Sequence, residues 1–232
     1  MMELALKTTL ITGCDYGIGF EFARQYASDN WRVHAVCLDE DSRDKIASTP
    51  GDVHFHQSDV SVTTSLQNLI KEVGGEPIDL LINNAATFAP DGPRTLMLPD
   101  IDEFTRVMQV NAVAPIYVAD AFEEHVARSS RKLMVFIGTR SGSIGDNTSG
   151  GHYAYRCSKT ALNMAAKSIS VDFAKHGICA AVLHPGSVAT ETRKGGQISV
   201  EESVTGMRGI IDGLDMHSSG KFLRYDGGEI EW

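Results

Sequence analysis

The chain has 232 residues, 42% of them hydrophobic, and carries a formal charge of −9 with a pI near 5.3. An acidic balance of this size offers no footprint for nucleic acid or an anionic membrane surface, and no apolar run approaches the about 18–20 residues that a membrane helix needs. The length suits one domain over residues 1–232, in which a single sheet is covered by helices on both faces.

The first apolar run, residues 8–12, meets Gly13-Cys14-Asp15-Tyr16-Gly17-Ile18-Gly19 and then an amphipathic helix over 18–28. Strand, glycine turn and helix start form a dinucleotide cradle, because glycines admit the pyrophosphate and the first helical amides carry partial positive charge. The spacing is G-x-x-x-G-x-G rather than G-x-G-x-x-G. Strands follow near 32–38, 53–57, 79–83, 132–138, 179–184 and 220–223. Helices are expected over 42–48, 62–73, 100–127, 153–176 and 200–213, the last opened by the capping box Ser199-Val-Glu-Glu202. This alternation predicts an α/β fold: a Rossmann-type, doubly wound parallel sheet of about seven strands. Loops at 87–99, 139–152 and 185–198 should form the pocket, since ligands bind beyond the carboxyl ends of such strands.

Two side-chain patterns carry chemistry. Tyr155 and Lys159 stand at i and i+4 of the helix over 153–176, so both heads reach one point. A nearby ammonium favours phenolate over phenol and brings a tyrosine, ordinarily near pH 10, toward a working range for proton exchange with an alcohol or carbonyl oxygen. Tyr153 has only Cys157 at i+4 and reads as a wall residue. In the helix over 100–127, Pro115 follows Asn111 by four residues, so the carbonyl of Asn111 receives no helical N–H and the turn is pushed open.

With Thr12-Gly-x-x-x-Gly17-Ile-Gly19 and Tyr155-x-x-x-Lys159 both present, the chain resembles the single-domain short-chain dehydrogenase/reductase family. Further motifs fall in the family's order: Asp59-Val60, Asn83-Asn84-Ala85-Ala86, Asn111, a hydroxyl segment near Thr139, and Pro185-Gly186-Ser-Val188-Ala-Thr190. The match runs from about residue 8 to 223. Gly138 to Ile144 and the ending Phe222 to Trp232 look most like the C-factor and sniffer-type carbonyl reductases.

The resemblance implies hydride exchange between a nicotinamide and a small carbonyl or secondary alcohol, with Tyr155 as proton donor or acceptor and Lys159 holding the nicotinamide ribose. It assigns Asn111 a water relay to Lys159, Asp59 and Val60 the adenine, and Asn83 to Ala85 the adenosine ribose. Pro185 and Gly186 turn the chain under the nicotinamide, with Val188 and Thr190 contacting its carboxamide or phosphate. The family's substrate-orienting serine is replaced. The pattern apolar-apolar-Gly-Ser-x-x-Gly puts Thr139 at that position, with Ser141 and Ser143 as its rivals. Threonine keeps a hydroxyl donor.

The second strand ends in Leu38-Asp39, and the glycine loop offers Asp15 and Tyr16 where phosphate-binding relatives carry basic residues. A carboxylate accepts from a ribose 2′-hydroxyl and repels a 2′-phosphate, so NAD is expected over NADP, with Asp39 as ribose partner. A homodimer or homotetramer through the two long helices is implied as well. The four cysteines show no C-x-x-C or framework spacing and Met1 to Thr9 no secretory pattern, so a cytoplasmic protein is expected. His54 and His56 lack a third metal ligand at a plausible spacing, and no metal is expected. A signalling or sensor protein of the same fold with little turnover is the alternative. An extended-family epimerase would need a larger substrate domain.

Overall fold

The computed structural model describes residues 6–89, 96, 98–190 and 195–232. In chain order, β1 (Thr8–Thr12) leads into α1 (Gly17–Ser28) and β2 (Arg32–Cys37), and the short α2 (Arg43–Ala47) precedes β3 (Asp52–Gln57), α3 (Thr63–Val73) and β4 (Leu80–Asn83). Next come α4 (Ile101–Met108), α5 (Ala114–Ala121), α6 (Glu123–Ala127) and β5 (Leu133–Ile137). The order closes with α7 (Tyr153–Asp172), β6 (Cys179–His184), α8 (Val200–Asp212) and β7 (Phe222–Arg224).

The strands lie in the order β3-β2-β1-β4-β5-β6-β7, and every pairing is parallel. Every residue of β1, β4 and β5 is buried, as expected for strands covered on both faces, and their sequences show no polar–apolar alternation, β5 being apolar throughout. Phe22, Tyr26, Val204 and Met207 pack one face under α1 and α8. Leu69, Phe122, Leu162 and Ile169 pack the other under α3, α5 and α7. Strand order reverses between β1 and β4, which places a crevice at their carboxyl ends, beside the glycine loop.

The helix expected over 100–127 is not continuous. Between α4 and α5 the chain makes a π turn, Gln109–Val113, in which the Ala114 N–H reaches the Gln109 carbonyl. Pro115 in the first turn of α5 removes the donor that would have closed an α-helical bond there. The turn therefore opens at Asn111, where the sequence located the break. The cap of α8 is present, with Ser199 accepting from the Glu202 N–H at 3.0 Å. The expected pocket loops leave β4, β5 and β6 at one edge; residues 90–95, 97 and 191–194 of them lie outside the described set.

Candidate active site

The glycine loop is built by close approach. A Cβ on Gly19 would lie 2.1 Å from the Gly13 carbonyl oxygen, and Gly13 itself adopts φ +74° against Ala85. Asn84 fastens this loop, donating through Nδ2 to the Thr12 and Gly13 carbonyls at 2.9 and 3.0 Å. The Thr12 hydroxyl accepts in return from the Asn84 and Ala85 amides. Asn84 and Ala85 thus hold the cradle in shape from behind.

The cradle suits a pyrophosphate. The residue before α1, Tyr16, makes no side-chain cap, and no acid occupies the first turn, so the leading amides keep their capacity for an anion. Gly17, at φ +59°, has only the Thr190 methyl, 3.8 Å away, near its missing Cβ, which places Thr190 across the cleft. Ile18 is half-buried against the core. At the end of β4, Asn83 is buried and its Nδ2 lacks a hydrogen-bond partner, an orphaned donor of the kind that a ligand can satisfy.

The Asp15 carboxylate reaches the end of β2, where it accepts from the Leu38 and Asp39 amides at 3.1 and 3.0 Å and from the Ser42 hydroxyl at 3.0 Å. Leu38 and Asp39 are exposed. One oxygen of Asp59 is turned into its own loop, accepting from the Ser61 amide and hydroxyl at 2.9 and 2.6 Å. Val60 packs into the core beside Leu66.

On the other side of the cleft, α7 carries Tyr155, half-buried, and Lys159, buried. The Lys159 ammonium donates to the Ile137 carbonyl at 2.9 Å, and burial lowers its pKa to about 8. A short 3-10 turn, Arg140–Gly142, rests on the backbone of Lys159, where a Cβ on Gly142 would come within 2.8 Å. Thr139 caps that turn by accepting from the Ser141 amide at 3.3 Å. Arg156 pins the following loop through the Ser141 and Gly150 carbonyls and the Ser149 hydroxyl.

Asn111 is fully buried, and its side chain does more than the open carbonyl suggested. Its Oδ1 accepts from the Thr87 amide at 2.7 Å, and its Nδ2 donates to the Thr87 carbonyl at 2.8 Å and to the Ser158 hydroxyl at 3.0 Å. Ser158 donates to the Tyr155 carbonyl, so Asn111 ties the segment after β4 to the turn bearing Tyr155.

Ser141 and Tyr153 belong to a different concavity. With Cys157, Thr160 and Met164 they line a groove of about 580 Å³ on the outer side of α7, which includes neither Thr139 nor Tyr155. Pro185 is held by the Ser203 hydroxyl, and Gly186, at φ +86°, packs under Tyr225 and Ile198. The Val188 side chain is buried and its backbone bridges Ile198, so it can face a ligand only through the main chain.

Sequence reasoning passed over Phe88, whose ring centroid lies 5.4 Å from that of Tyr155 and 5.6 Å from that of His152. The only available signal was its place four residues after Asn84. His56 does meet further metal-type donors, His34 and Glu72, but these are strung along a line of contacts. Among the described residues no group of three or more His, Cys, Asp or Glu is placed to hold a metal ion.

A parallel sheet with a fastened glycine turn on one side of its switch point and a tyrosine–lysine helix on the other defines a nicotinamide-dependent oxidoreductase. The chain belongs to the short-chain dehydrogenase family, whose model matches residues 7–198. It is 38% identical over 161 residues to the C-signal protein of Myxococcus xanthus, covering 67% of this chain and 93% of that protein. It is 31% identical over 238 residues to 1-hydroxy-2-glutathionyl-2-methyl-3-butene dehydrogenase of Rhodococcus sp. (strain AD45), covering 98% of this chain and all of that one.

Among solved structures, NADPH-bound carbonyl reductase from chicken fatty liver superposes with a TM-score of 0.89 at 29% identity, covering 99% and 96% of the two chains. Carbonyl reductase Sniffer of D. melanogaster gives 0.89 at 27% identity, covering 98% and 100%. The nucleotide in the chicken enzyme is NADPH, so the relatives support a nicotinamide cofactor and do not support the expected preference for NAD.

Proposed function

We propose that the protein exchanges a proton and a hydride with a small, uncharged ketone, aldehyde or secondary alcohol, with Tyr155 as the proton donor or acceptor. The observation that carries this reading is the Lys159 ammonium, buried one helical turn from Tyr155 and anchored on the Ile137 carbonyl. Its charge favours the phenolate and so lets Tyr155 take or give a proton near neutral pH. Thr139, whose own turn rests on Lys159, hydrogen-bonds the substrate oxygen. Ser141 lines the outer groove and is set aside for that role. Asn111 holds Thr87 and the Tyr155 turn in register, and its backbone carbonyl, opened by Pro115, is the water-relay position.

A bound nicotinamide dinucleotide supplies the hydride. The α1 amides around Gly17 to Gly19 receive its pyrophosphate, Asn83, Asp59 and the Val60 backbone border its adenosine, and Gly186, the Val188 backbone and Thr190 border its nicotinamide end. For the ribose we retain NAD over NADP, on the ground that the Asp15 carboxylate covers the Leu38 and Asp39 amides and no basic side chain stands at positions 16 or 38. Relatives solved with NADP-type cofactors weigh against this, and kcat/KM with NADPH exceeding that with NADH overturns it.

Val113, Ile116 and Tyr117 near α5, with Met164 and Val171 on α7, expose apolar surface on the two long helices, which supports pairing of two copies there. Mass determination by light scattering tests it. The described residues include no helix long and apolar enough to cross a membrane, and the four free cysteines suit the cytoplasmic location included in this reading.

The experiment is turnover of a carbonyl and alcohol panel with both cofactors, by wild type and Tyr155→Phe. Loss of turnover in the variant supports the reading. Tight dinucleotide binding without turnover of any panel member favours instead a signalling protein, a reading that the C-signal likeness keeps open.

A further inference from the structure

Phe88 stands out among the exposed aromatic side chains because the backbone on both sides of it is fixed. Before it, Thr87 has its amide and its carbonyl both bound by the Asn111 side chain, at 2.7 and 2.8 Å. After it, Ala89 is buried in a small cluster with Val107, Ala154 and Phe104. Between these anchors the Phe88 ring projects with 49% of its surface exposed. A large apolar ring left half in water on a rigid backbone forgoes burial that the chain could otherwise gain.

Its neighbours give that exposure a purpose. The ring is tilted 58° to Tyr155 and 59° to His152, at centroid distances within the range of favourable aromatic pairs. His152 is held there in the left-handed region, φ +46°, after two glycines also at positive φ, while its carbonyl accepts from the Arg156 amide at 2.9 Å. A non-glycine residue in that region is strained, and such strain gathers where geometry serves function. A substrate oxygen in hydrogen-bond reach of the Tyr155 hydroxyl, about 2.6–3.2 Å, brings one substituent of its carbonyl carbon against this wall.

Resting on the oxidoreductase reading above, we propose that Phe88, backed by His152, is a specificity-determining residue that receives the flatter, larger substituent of an unsymmetrical carbonyl substrate and so fixes which enantiomer of the alcohol forms. Two arrangements of such a ketone differ only in which substituent meets the Phe88 ring. The wall favours the planar one through stacking, and hydride addition then occurs at one face of the carbonyl.

The test uses two ketones of similar bulk, acetophenone and cyclohexyl methyl ketone, with wild type, Phe88→Ala, Phe88→Leu and Phe88→Tyr. The readouts are kcat, KM and the enantiomeric ratio of the product by chiral chromatography, with folding checked by circular dichroism. Phe88→Ala is expected to lower the preference for acetophenone over its saturated analogue by about five- to tenfold, mostly through KM, and to move the enantiomeric ratio toward unity. Phe88→Tyr, which keeps the ring, preserves both, and Phe88→Leu loses the aryl preference. An unchanged enantiomeric ratio in a folded Phe88→Ala variant overturns the proposal. So does a parallel fall in kcat on both ketones, which would make Phe88 only a support for Tyr155. A wild-type enzyme that reduces other carbonyls without selecting acetophenone overturns this inference alone. No turnover of any carbonyl with either cofactor removes the oxidoreductase reading and this inference with it.

Discussion

The Lys159 ammonium donates to the Ile137 carbonyl oxygen at 2.9 Å, inside the packing between α7 and the end of β5. That placement sets function against stability. Burial lowers the pKa of Lys159 from 10.5 to about 8, so the folded protein carries the charge at a cost. The sign follows from proton counting. Below about pH 8 both states are protonated and the full penalty applies, whereas between about 8 and 10.5 the unfolded chain holds the proton longer and the penalty is relieved as pH rises. At neutral pH the penalty is of order 3 kcal/mol, at about 1.36 kcal/mol per unit. Lys159→Met is therefore expected to raise the urea midpoint at pH 7 while lowering kcat by about 10²- to 10⁴-fold. A variant that is inactive because it is less stable contradicts this.

The same shift shapes the activity profile. As pH rises through about 8 the ammonium loses its charge and its hold on the phenolate, so kcat/KM for carbonyl reduction should fall on the alkaline side, with a midpoint near the Lys159 value before cofactor is bound. Flat kcat/KM from pH 7 to 9.5 argues that the charge of Lys159 is not what tunes Tyr155.

Asn111 offers a separate test of positioning. Asn111→Ala leaves its backbone carbonyl, and so the relay position, in place, but strips the partly buried Thr87 amide and carbonyl of their partners. Each orphaned group costs about 1–3 kcal/mol. At about 2–4 °C per kcal/mol for a domain of this size, the melting temperature should fall by roughly 5–15 °C. KM should rise with it, because the Phe88 segment loses its anchor. Unchanged melting and unchanged KM would show that the Asn111 side chain does not hold this segment.

Thr139 and Ser141 can be separated by chemistry alone. Thr139→Ser keeps the hydroxyl and should keep most of the rate. Thr139→Val keeps the shape, loses the donor, and should lower kcat about 10²-fold, the usual cost of removing one donor to a developing oxyanion. Ser141→Ala, altering a residue that lines the outer groove, should leave kcat within about twofold. Reversal of the last two outcomes assigns the substrate oxygen to Ser141.

The strand runs, the glycine turn and the Tyr155-Lys159 spacing were legible because each is a local pattern with one backbone solution. Pro115 likewise located the opened turn at Asn111, because a missing N–H is a covalent fact. What escaped was set by contacts across the chain. Asp15 reaches the amides of Leu38 and Asp39 only because β1 and β2 end side by side, and no periodicity shows which carboxylate arrives there. The aim of Phe88 at Tyr155 depends on an anchor 23 residues away, Asn111. Thr139 and Ser141 are two residues apart in one short turn, and of the two only Ser141 lines the groove beside α7.

His34 supplies a test of stability far from the cleft. It is buried on β2, with Nδ1 2.9 Å from Nε2 of His56 on β3 and Nε2 3.2 Å from Glu76 Oε2, while Arg32, Asp52 and His54 surround the group. Burial first, then the neighbouring His56, lowers its pKa to about 4. A base with a depressed pKa stays neutral in the fold while the unfolded chain takes up a proton near 6.5. Its contribution is thus complete above about pH 6.5 and is lost as pH falls toward 4, amounting to roughly 3 kcal/mol across that window. Urea midpoints measured from pH 7.5 to 4 should decline for the wild type and decline less for His34→Gln between 6.5 and 4.5. Below about 4.5 both should fall together, because the unfolded chain then begins to protonate carboxylates that the fold holds low, Asp52 through its hydrogen bond from Arg32 and Glu76, against the opposing effect of burial, through those from Arg32 and His34. Equal slopes for the two proteins above pH 4.5 would show that the acid sensitivity belongs to other groups.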